Sequence, residues 1–123
     1  MHSTPSPWFK DVAFVVQPVA DLPVARRFYE GVLGLAVTTA WEGQWIEYDI
    51  GHGTLALTVA DERHRPGASG AAVGLEVVDF DRLVAHLRAH AVVIVDGPFD
   101  SPACRGCVIR DPDGNELILH AKK

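Results

Sequence analysis

The sequence predicts an α+β fold built from two βαβββ modules. Each half of the chain has one stretch with apolar residues at helical spacing, set among runs that are typical of strands. The order strand, helix, three strands occurs twice, and "VADLPVARRF" in the first half resembles "VVDFDRLVAHL" in the second. Such an internal repeat indicates two similar units packed together, because a unit of about 55 residues buries too little surface to be stable alone.

The bulk properties indicate a soluble globular protein. The chain has 123 residues, of which 48% are hydrophobic and 22% charged. Because the net charge is −5 and no basic run occurs, the chain has no electrostatic footprint for nucleic acid. No apolar stretch could span a bilayer, and the N-terminus has no signal-peptide core. We therefore expect no membrane partner and a cytoplasmic location.

The chain divides into an arm and one domain. Residues 1–9 are polar and contain two prolines, which is typical of an N-terminal arm. The domain covers 10–122, with module one at 10–60 and module two at 71–122. Residues 61–70 are polar and contain proline and glycine, so they are interpreted as a linker.

In module one, a β-branched run predicts the first strand over 11–17. Asp21 and Pro23 predict the start of a helix, and Gly34 its end. Further strands are predicted over 35–40, 44–50 and 54–59, with a tight turn between the last two.

In module two, a strand is predicted over 71–78, and Asp79 predicts the cap of the second helix. Prolines in 96–103 predict a loop after a short apolar run at 92–95. The last predicted element is a hairpin, formed by 105–110 and 116–120 around an Asp-Pro-Asp-Gly-Asn turn.

Two motifs resemble signatures of the vicinal-oxygen-chelate superfamily, which includes glyoxalases, bleomycin-resistance proteins and extradiol dioxygenases. "VADLPVARRFYEGVLGL" at 19–35 is similar to its first-helix signature, and "RDPDGNELILH" at 110–120 to its C-terminal hairpin signature. Spacing and element order agree over about residues 10–121. The resemblance implies a curved, cup-shaped mixed sheet with helices on its outer face, and a homodimer. It leaves the function open, because one fold of this kind hosts many activities.

The resemblance also implies where a metal would bind. In metal-dependent members, the first and fourth strands of each module supply four ligands. Counting from the helix cap and from the C-terminal turn places these positions at Phe14, Ala56, Ala72 and Ile118, none of which can ligate a metal. Gln17 is the one plausible donor on the first strand, but strand alternation puts it on the opposite face. We therefore expect no metal and no other cofactor, as in the superfamily's metal-free antibiotic-binding proteins.

Strand alternation around these positions predicts an apolar cup with a few polar groups, which is the usual form of a small-molecule site. Trp41, Trp45 and Tyr48 lie on the segment that often closes one side of such cups in the superfamily. Aromatic walls favour flat or cationic ligands. The predicted ligand-binding residues are Phe14, Trp41, Trp45, Tyr48, Thr54, Ala56, Thr58, Ala72, Ile118 and His120.

Three functions stay open at this point. The first is metal-independent binding of a small organic, aromatic ligand without turnover. The second is a metal-independent isomerase or lyase, in which Glu76, with its pKa raised by an apolar strand, is the base and His120 the acid; the competing interpretation is two solvated residues. A metal-dependent glyoxalase-type lyase or dioxygenase lacks its ligands. The third is an interaction module without a ligand, which Phe14 packed on Trp45 in a filled cup would indicate.

Three other patterns are better explained without a catalytic or binding role. Cys104 and Cys107 form a lone C-x-x-C and are interpreted as structural or incidental cysteines. His86 and His90 have metal-binding spacing on the second helix but no acidic partner, which favours a solvated helix face. The aspartates at 111 and 113 lack the ligand run of a calcium loop and are interpreted as turn formers.

Overall fold

The computed structural model of the chain describes residues 6–8, 10–67 and 71–123. It contains two four-stranded mixed sheets, each with one helical segment after its first strand, and this confirms the predicted α+β class. The predicted arm, apart from 6–8, and the end of the predicted linker at 68–70 lie outside the described residues. Within the described ranges, no helix is long and apolar enough to cross a membrane.

Module one has its strands in the order β1-β4-β3-β2, with β1 parallel to β4 and the other pairs antiparallel. Its helix begins as α1 and continues as a π-helical turn over Arg27–Val32. The elements are β1 (Val15–Val19), α1 (Leu22–Arg26), β2 (Thr39–Trp41), β3 (Trp45–Ile50) and β4 (Gly53–Val59).

Module two repeats this topology. Its strand order is β5-β8-β7-β6, again with the first and fourth strands parallel. The elements are β5 (Val73–Glu76), α2 (Phe80–Ala89), β6 (Ile94–Asp100), β7 (Cys104–Arg110) and β8 (Glu116–Lys122). The internal repeat of the sequence therefore corresponds to two sheets with the same strand order.

The first helix forms from the local signals that predict it. The Asp21 carboxylate accepts a hydrogen bond from Val24 N at 3.1 Å and so caps the helix. In the π-helical turn, Leu33 N donates to the carbonyl of Phe28 at 3.0 Å, which adds one residue to the turn. Gly34 then ends the helix with φ +75°, a conformation that glycine adopts without steric penalty.

The first two strands are both shorter than predicted, and both begin four residues later in the chain than the prediction has them. β1 begins at Val15 and includes Pro18, whereas the sequence predicts a strand over 11–17. As an edge strand, β1 tolerates a proline, which has no N–H to donate. Of the predicted strand over 35–40, only the last two residues pair, in β2.

β6 extends through a segment that the sequence predicts to be a loop. Its pairing with β7 has register shifts between Ile94 and Asp96 and between Asp96 and Phe99. Such bulges accommodate Gly97 and Pro98 in a strand at the edge of a sheet, where proline interrupts few backbone bonds.

The turn at 111–115 joins the two modules. The buried Asp111 carboxylate accepts bonds from the Tyr29 hydroxyl at 2.7 Å, from the backbone N–H of Asp113 and Asn115, and from the Asn115 amide. The amide of Asn115 also donates to Pro18 O at 2.8 Å. The predicted turn residues therefore do more than form a hairpin, because they satisfy buried polar groups of module one.

Candidate functional site

Each sheet has one face that packs on its helix, here called the helix face, and an opposite face, here called the cup face. Leu55 and Leu57 of β4 belong to the buried core of the helix face. Thr54, Ala56 and Thr58 alternate with them and therefore point to the cup face. Residues that pair across strands with a cup-face residue, or that lie two positions from one, also belong to the cup face. These are the predicted residues Phe14, Trp41, Trp45, Ala72, Ile118 and His120.

Tyr48 is not on the cup face, and its predicted placement is wrong. Its side chain is fully buried on the helix face, where its ring stacks on Tyr29 with centroids 6.1 Å apart. Its hydroxyl donates to Glu30 at 2.9 Å. Tyr48 lies three residues after Trp45, and an odd spacing on a strand places two side chains on opposite faces.

An aromatic wall covers the cup face of module one; we define it as Phe14, Trp41 and Trp45. Phe14 and Trp45 contact each other edge to face, with centroids 5.4 Å apart. Trp41 is paired with Trp45 across β2 and β3 and is 68% exposed. The Trp45 indole N–H donates to the Glu47 carboxylate at 2.7 Å, which fixes the orientation of the ring. Phe14 and Trp41 of this wall are exposed to solvent, and Trp45 is partly buried.

A cavity of about 500 Å³ is lined by residues of both modules, and Phe14 is the residue through which the aromatic wall reaches it. Phe14 and Thr54 of module one and Gly74 and Glu76 of module two line it, together with the turn at 50–53. Phe14 remains 46% exposed despite its contact with Trp45, so this contact does not fill the cavity. The cavity joins two of the predicted ligand-binding residues; Ala56 is fully buried and does not line it.

Glu76 and His120 are brought together by the parallel pairing of β5 with β8. His120 Nδ1 lies 2.5 Å from Glu76 Oε1, and Lys122 N donates to Glu76 Oε2 at 2.7 Å. The Lys122 N–H, and then the His120 ring, hold the pKa of Glu76 below its ordinary value. The Glu76 side chain is exposed and hydrogen-bonded, so it fits the interpretation as a solvated residue and not that of a base whose pKa is raised by an apolar strand.

The hydrogen bond gives the two side chains of this pair different chemical properties. A carboxylate with a lowered pKa stays ionised and orients the imidazole that bonds to it. In the tautomer that donates from Nδ1 to Glu76, Nε2 of His120 keeps a lone pair and can accept a proton or a hydrogen bond. This arrangement gives the His120 ring the chemistry of a base and Glu76 that of an orienting partner, whereas the prediction from sequence has Glu76 as the base.

The four positions that would hold a metal in this fold do not fit one. Phe14, Ala56, Ala72 and Ile118 offer hydrocarbon, and Gln17 points to the helix face beside Leu57. In the part of the chain that the structure describes, no three His, Cys, Asp or Glu side chains are grouped so that they could hold a metal ion.

Sequence reasoning missed Glu47 and misplaced His86. Glu47 lies two residues after Trp45, so strand alternation would have placed it on the cup face. The predicted solvated face at His86 is wrong, because this half-buried ring lies 2.7 Å from the carbonyl of Val32 in module one. No local pattern encodes a contact between residues so far apart. Cys107 is buried in the core, as a structural cysteine would be.

Comparison with known proteins gives relatives that match almost the full chain. An uncharacterized protein of Mycolicibacterium smegmatis is 29% identical over 111 residues, which cover 90% of this chain and 93% of that protein. TnmS3, an antibiotic binding protein from Streptomyces sp. CB03234, is 26% identical with a TM-score of 0.82, and the match covers 96% of this chain and all (100%) of TnmS3. A glyoxalase/bleomycin resistance protein from the same Streptomyces strain is 26% identical with a TM-score of 0.74, over 92% of this chain and 100% of that one.

The sequence model of one protein family matches residues 11–119, which cover nearly all of both modules, the whole first motif and all but the last residue of the second. The chain belongs to the Glyoxalase/Bleomycin resistance protein/Dioxygenase superfamily.

Proposed function

We propose that this protein binds a small, flat organic molecule with aromatic character on its cup face, without a metal ion. The observation that carries the proposal is the aromatic wall beside a cavity of about 500 Å³. Pockets of this size, with apolar walls and a few polar groups, are typical of small-molecule sites. The hydrocarbon side chains at the four metal positions support metal independence.

The charges on the cup face favour a ligand with a positive group. Glu47 and Asp49 both lie on this face of β3, and neither forms an ion pair with a cation in the described ranges. Indole and phenyl rings attract cations through their electron-rich faces. A planar aromatic amine therefore satisfies both the wall and the carboxylates.

The similarity to TnmS3 supports the same class of function. That protein is described as an antibiotic binding protein, and its 26% identity extends over nearly the whole chain. We take from it only the class of activity, the binding of an organic molecule, because the ligand-contacting residues of this chain are its own.

The test is isothermal titration with 9-aminoacridine, a planar cation, after dialysis against EDTA. We expect saturable binding that Trp45→Ala weakens at least about twofold, because ring contacts of this kind contribute about 0.5–1.5 kcal/mol beyond the area buried. Trp8→Ala is the matched control, since Trp8 is 83% exposed and does not belong to the wall. Equal losses in the two variants, or binding that requires added Zn²⁺, would contradict the proposal.

The Glu76–His120 pair favours a second candidate, a metal-independent isomerase or lyase with His120 as base. Its test starts from a compound that binds in the titration. Turnover of that compound, lost in His120→Gln while binding persists, would establish an enzyme. A bound compound recovered unchanged after long incubation would leave binding as the function.

We also propose a homodimer in which a second copy covers part of the cup faces. Trp41, Phe99 and Ile118 are large apolar side chains exposed on these faces, and such patches are often buried by a partner. Light scattering of the purified protein should give twice the chain mass, and Trp41→Glu should lower it. A monomer at all concentrations would contradict this part of the proposal.

A further inference from the structure

A second, smaller cavity of about 110 Å³ lies next to β1 and β5. Its lining comes from residues 15–18, from Arg65 and Gly67, from residues 71–73 and from Asn115. Among the described residues, it shares only Val15 and Val73 with the cavity of about 500 Å³. This volume is sufficient for a few water molecules or one small ion, and it is too small for a polycyclic aromatic molecule.

Gln17 is one of the residues that line this cavity, and its side-chain amide has a donor that is unpaired among the residues that the structure describes. The residue is only 9% exposed, and its amide Nε2 has no hydrogen-bond partner within the described ranges. A buried N–H without an acceptor costs stability, so native structures rarely keep one unless something else satisfies it. The other amide at the cavity differs, because Asn115 uses Nδ2 for Pro18 O and Asp111 and its Oδ1 for Gly67 N.

The charge around the cavity has one sign. Arg65 is the only charged residue among the described residues that line it, and no carboxylate does. The guanidinium forms no ion pair in the described part of the chain; its Nε donates only a long bond, 3.4 Å, to the carbonyl of Glu62. The protein as a whole has a net charge of −5, whereas the described lining of this cavity has a guanidinium and no carboxylate.

We propose that this cavity binds a small oxyanion, with the Gln17 amide and the Arg65 guanidinium as donors. The Gln17 Nε2 group and the Arg65 guanidinium both donate, and together they match the acceptor oxygens of a carboxylate or a phosphate. The site is independent of the proposed aromatic ligand, because neither Gln17 nor Arg65 belongs to the aromatic wall or to the larger cavity.

The test compares thermal unfolding in sodium acetate, sodium phosphate and sodium chloride at equal ionic strength. We expect one of the two oxyanions to raise the unfolding temperature saturably, with chloride far less effective. A larger effect of acetate identifies a carboxylate ligand, and a larger effect of phosphate identifies an inorganic one. Arg65→Met should raise the oxyanion concentration needed for half of the maximal temperature shift at least tenfold, and Gln17→Leu should do the same.

Arg63→Met is the matched control, because it removes the same charge two residues away and does not line the cavity. If Arg63→Met and Arg65→Met lower the response equally, or if chloride acts as strongly as the oxyanions, the effect is general electrostatics and the proposal is wrong. Should Gln17→Leu fail to fold, the NMR resonance of the Gln17 side-chain amide in the unmodified protein tests the assignment instead. It must shift saturably with the oxyanion, and an unmoved resonance would overturn the assignment.

Discussion

Module one and module two share a strand order, but they fill their helix faces with different chemistry. In module one, two fully buried tyrosines stack, and their hydroxyls donate to Asp111 and to Glu30. Burial raises the pKa of both hydroxyls, so they stay protonated donors. In module two, the corresponding core is apolar and consists of Val73, Phe80, Val84, Leu87, Cys107, Ile109, Leu117 and Leu119.

This difference makes module one depend on module two. The acceptor for Tyr29 lies in the 111–115 turn of module two, whereas the Tyr48 hydroxyl finds Glu30 within module one. Glu30 in turn accepts from Arg26 at 2.7 Å, and this bond is the main reason why the pKa of Glu30 is below its ordinary value. A buried polar group must be paired, so the two modules are joined by hydrogen bonds as well as by apolar contact.

The strongest way to break this connection is Asp111→Ala. Four donors lose a buried charged acceptor, so we expect a loss of about 4 kcal/mol in the free energy of unfolding. Urea unfolding measures it. The matched control is Asp113→Ala in the same turn, which removes one side-chain bond, from Ala20 N, and should cost about 1 kcal/mol. Equal losses would mean that the turn acts only through its backbone shape.

The two tyrosines test the asymmetry between the modules directly. Tyr29→Phe should cost about 1.5–3 kcal/mol, because it removes a buried bond to a charged acceptor in the other module. Tyr48→Phe should cost about 1 kcal/mol, because Glu30 is partly exposed and keeps its bond to Arg26. The same urea experiment compares them. A larger loss of unfolding free energy for Tyr48→Phe would show that the Tyr29–Asp111 bond between the modules stabilises the protein less than the Tyr48–Glu30 bond within module one.

The sequence predicts those parts of this comparison that depend on local patterns. Caps at Asp21 and Asp79 and helical spacing predict both helices, and two-residue alternation predicts which strand residues share a face. Membership of the same segment groups Tyr48 with Trp45, but their odd spacing puts the two side chains on opposite faces of the strand. Edge strands were predicted least well, since bulges and proline interrupt the pattern in β6.

Contacts between distant residues could not be predicted in this way. Tyr29 and Asp111 are 82 residues apart, and Glu76 and His120 are 44 apart. Alternation placed Glu76 and His120 on the same face, but only the register of β5 against β8 makes them neighbours. The small cavity at Gln17 likewise depends on how residues from separate segments pack together.

A pH series tests how much the exposed Glu76–His120 pair of module two contributes to stability. The pKa of Glu76 is lowered, so its contribution to stability is complete above the pKa of the unfolded chain and is lost as pH falls through the folded pKa. Glu76→Gln should therefore lose less stability than the unmodified protein when urea unfolding is repeated from neutral pH downwards. The effect should be small because the side chain is exposed. Parallel curves would contradict a role for this pair in stability.

The smallest expected effect concerns the space that module two leaves on its cup face. Gly74 lines the large cavity, and a Cβ added there would meet nothing within 4 Å. Because glycine weakens a strand, Gly74→Ala should raise the free energy of unfolding by about 0.5 kcal/mol. At Gly106, on the same cup face, a Cβ would lie 2.5 Å from the Phe99 ring, so Gly106→Ala must displace that ring.

These two glycines show whether module two contributes space or contacts to the site. If it contributes space, Gly74→Ala weakens 9-aminoacridine binding although the protein becomes more stable, because the methyl group enters the cavity that Phe14 also lines. Gly106→Ala then changes binding less, since Gly106 does not line that cavity. If Gly74→Ala leaves the affinity unchanged and Gly106→Ala abolishes it, the ligand lies against Phe99 instead, and module two supplies an aromatic contact of its own.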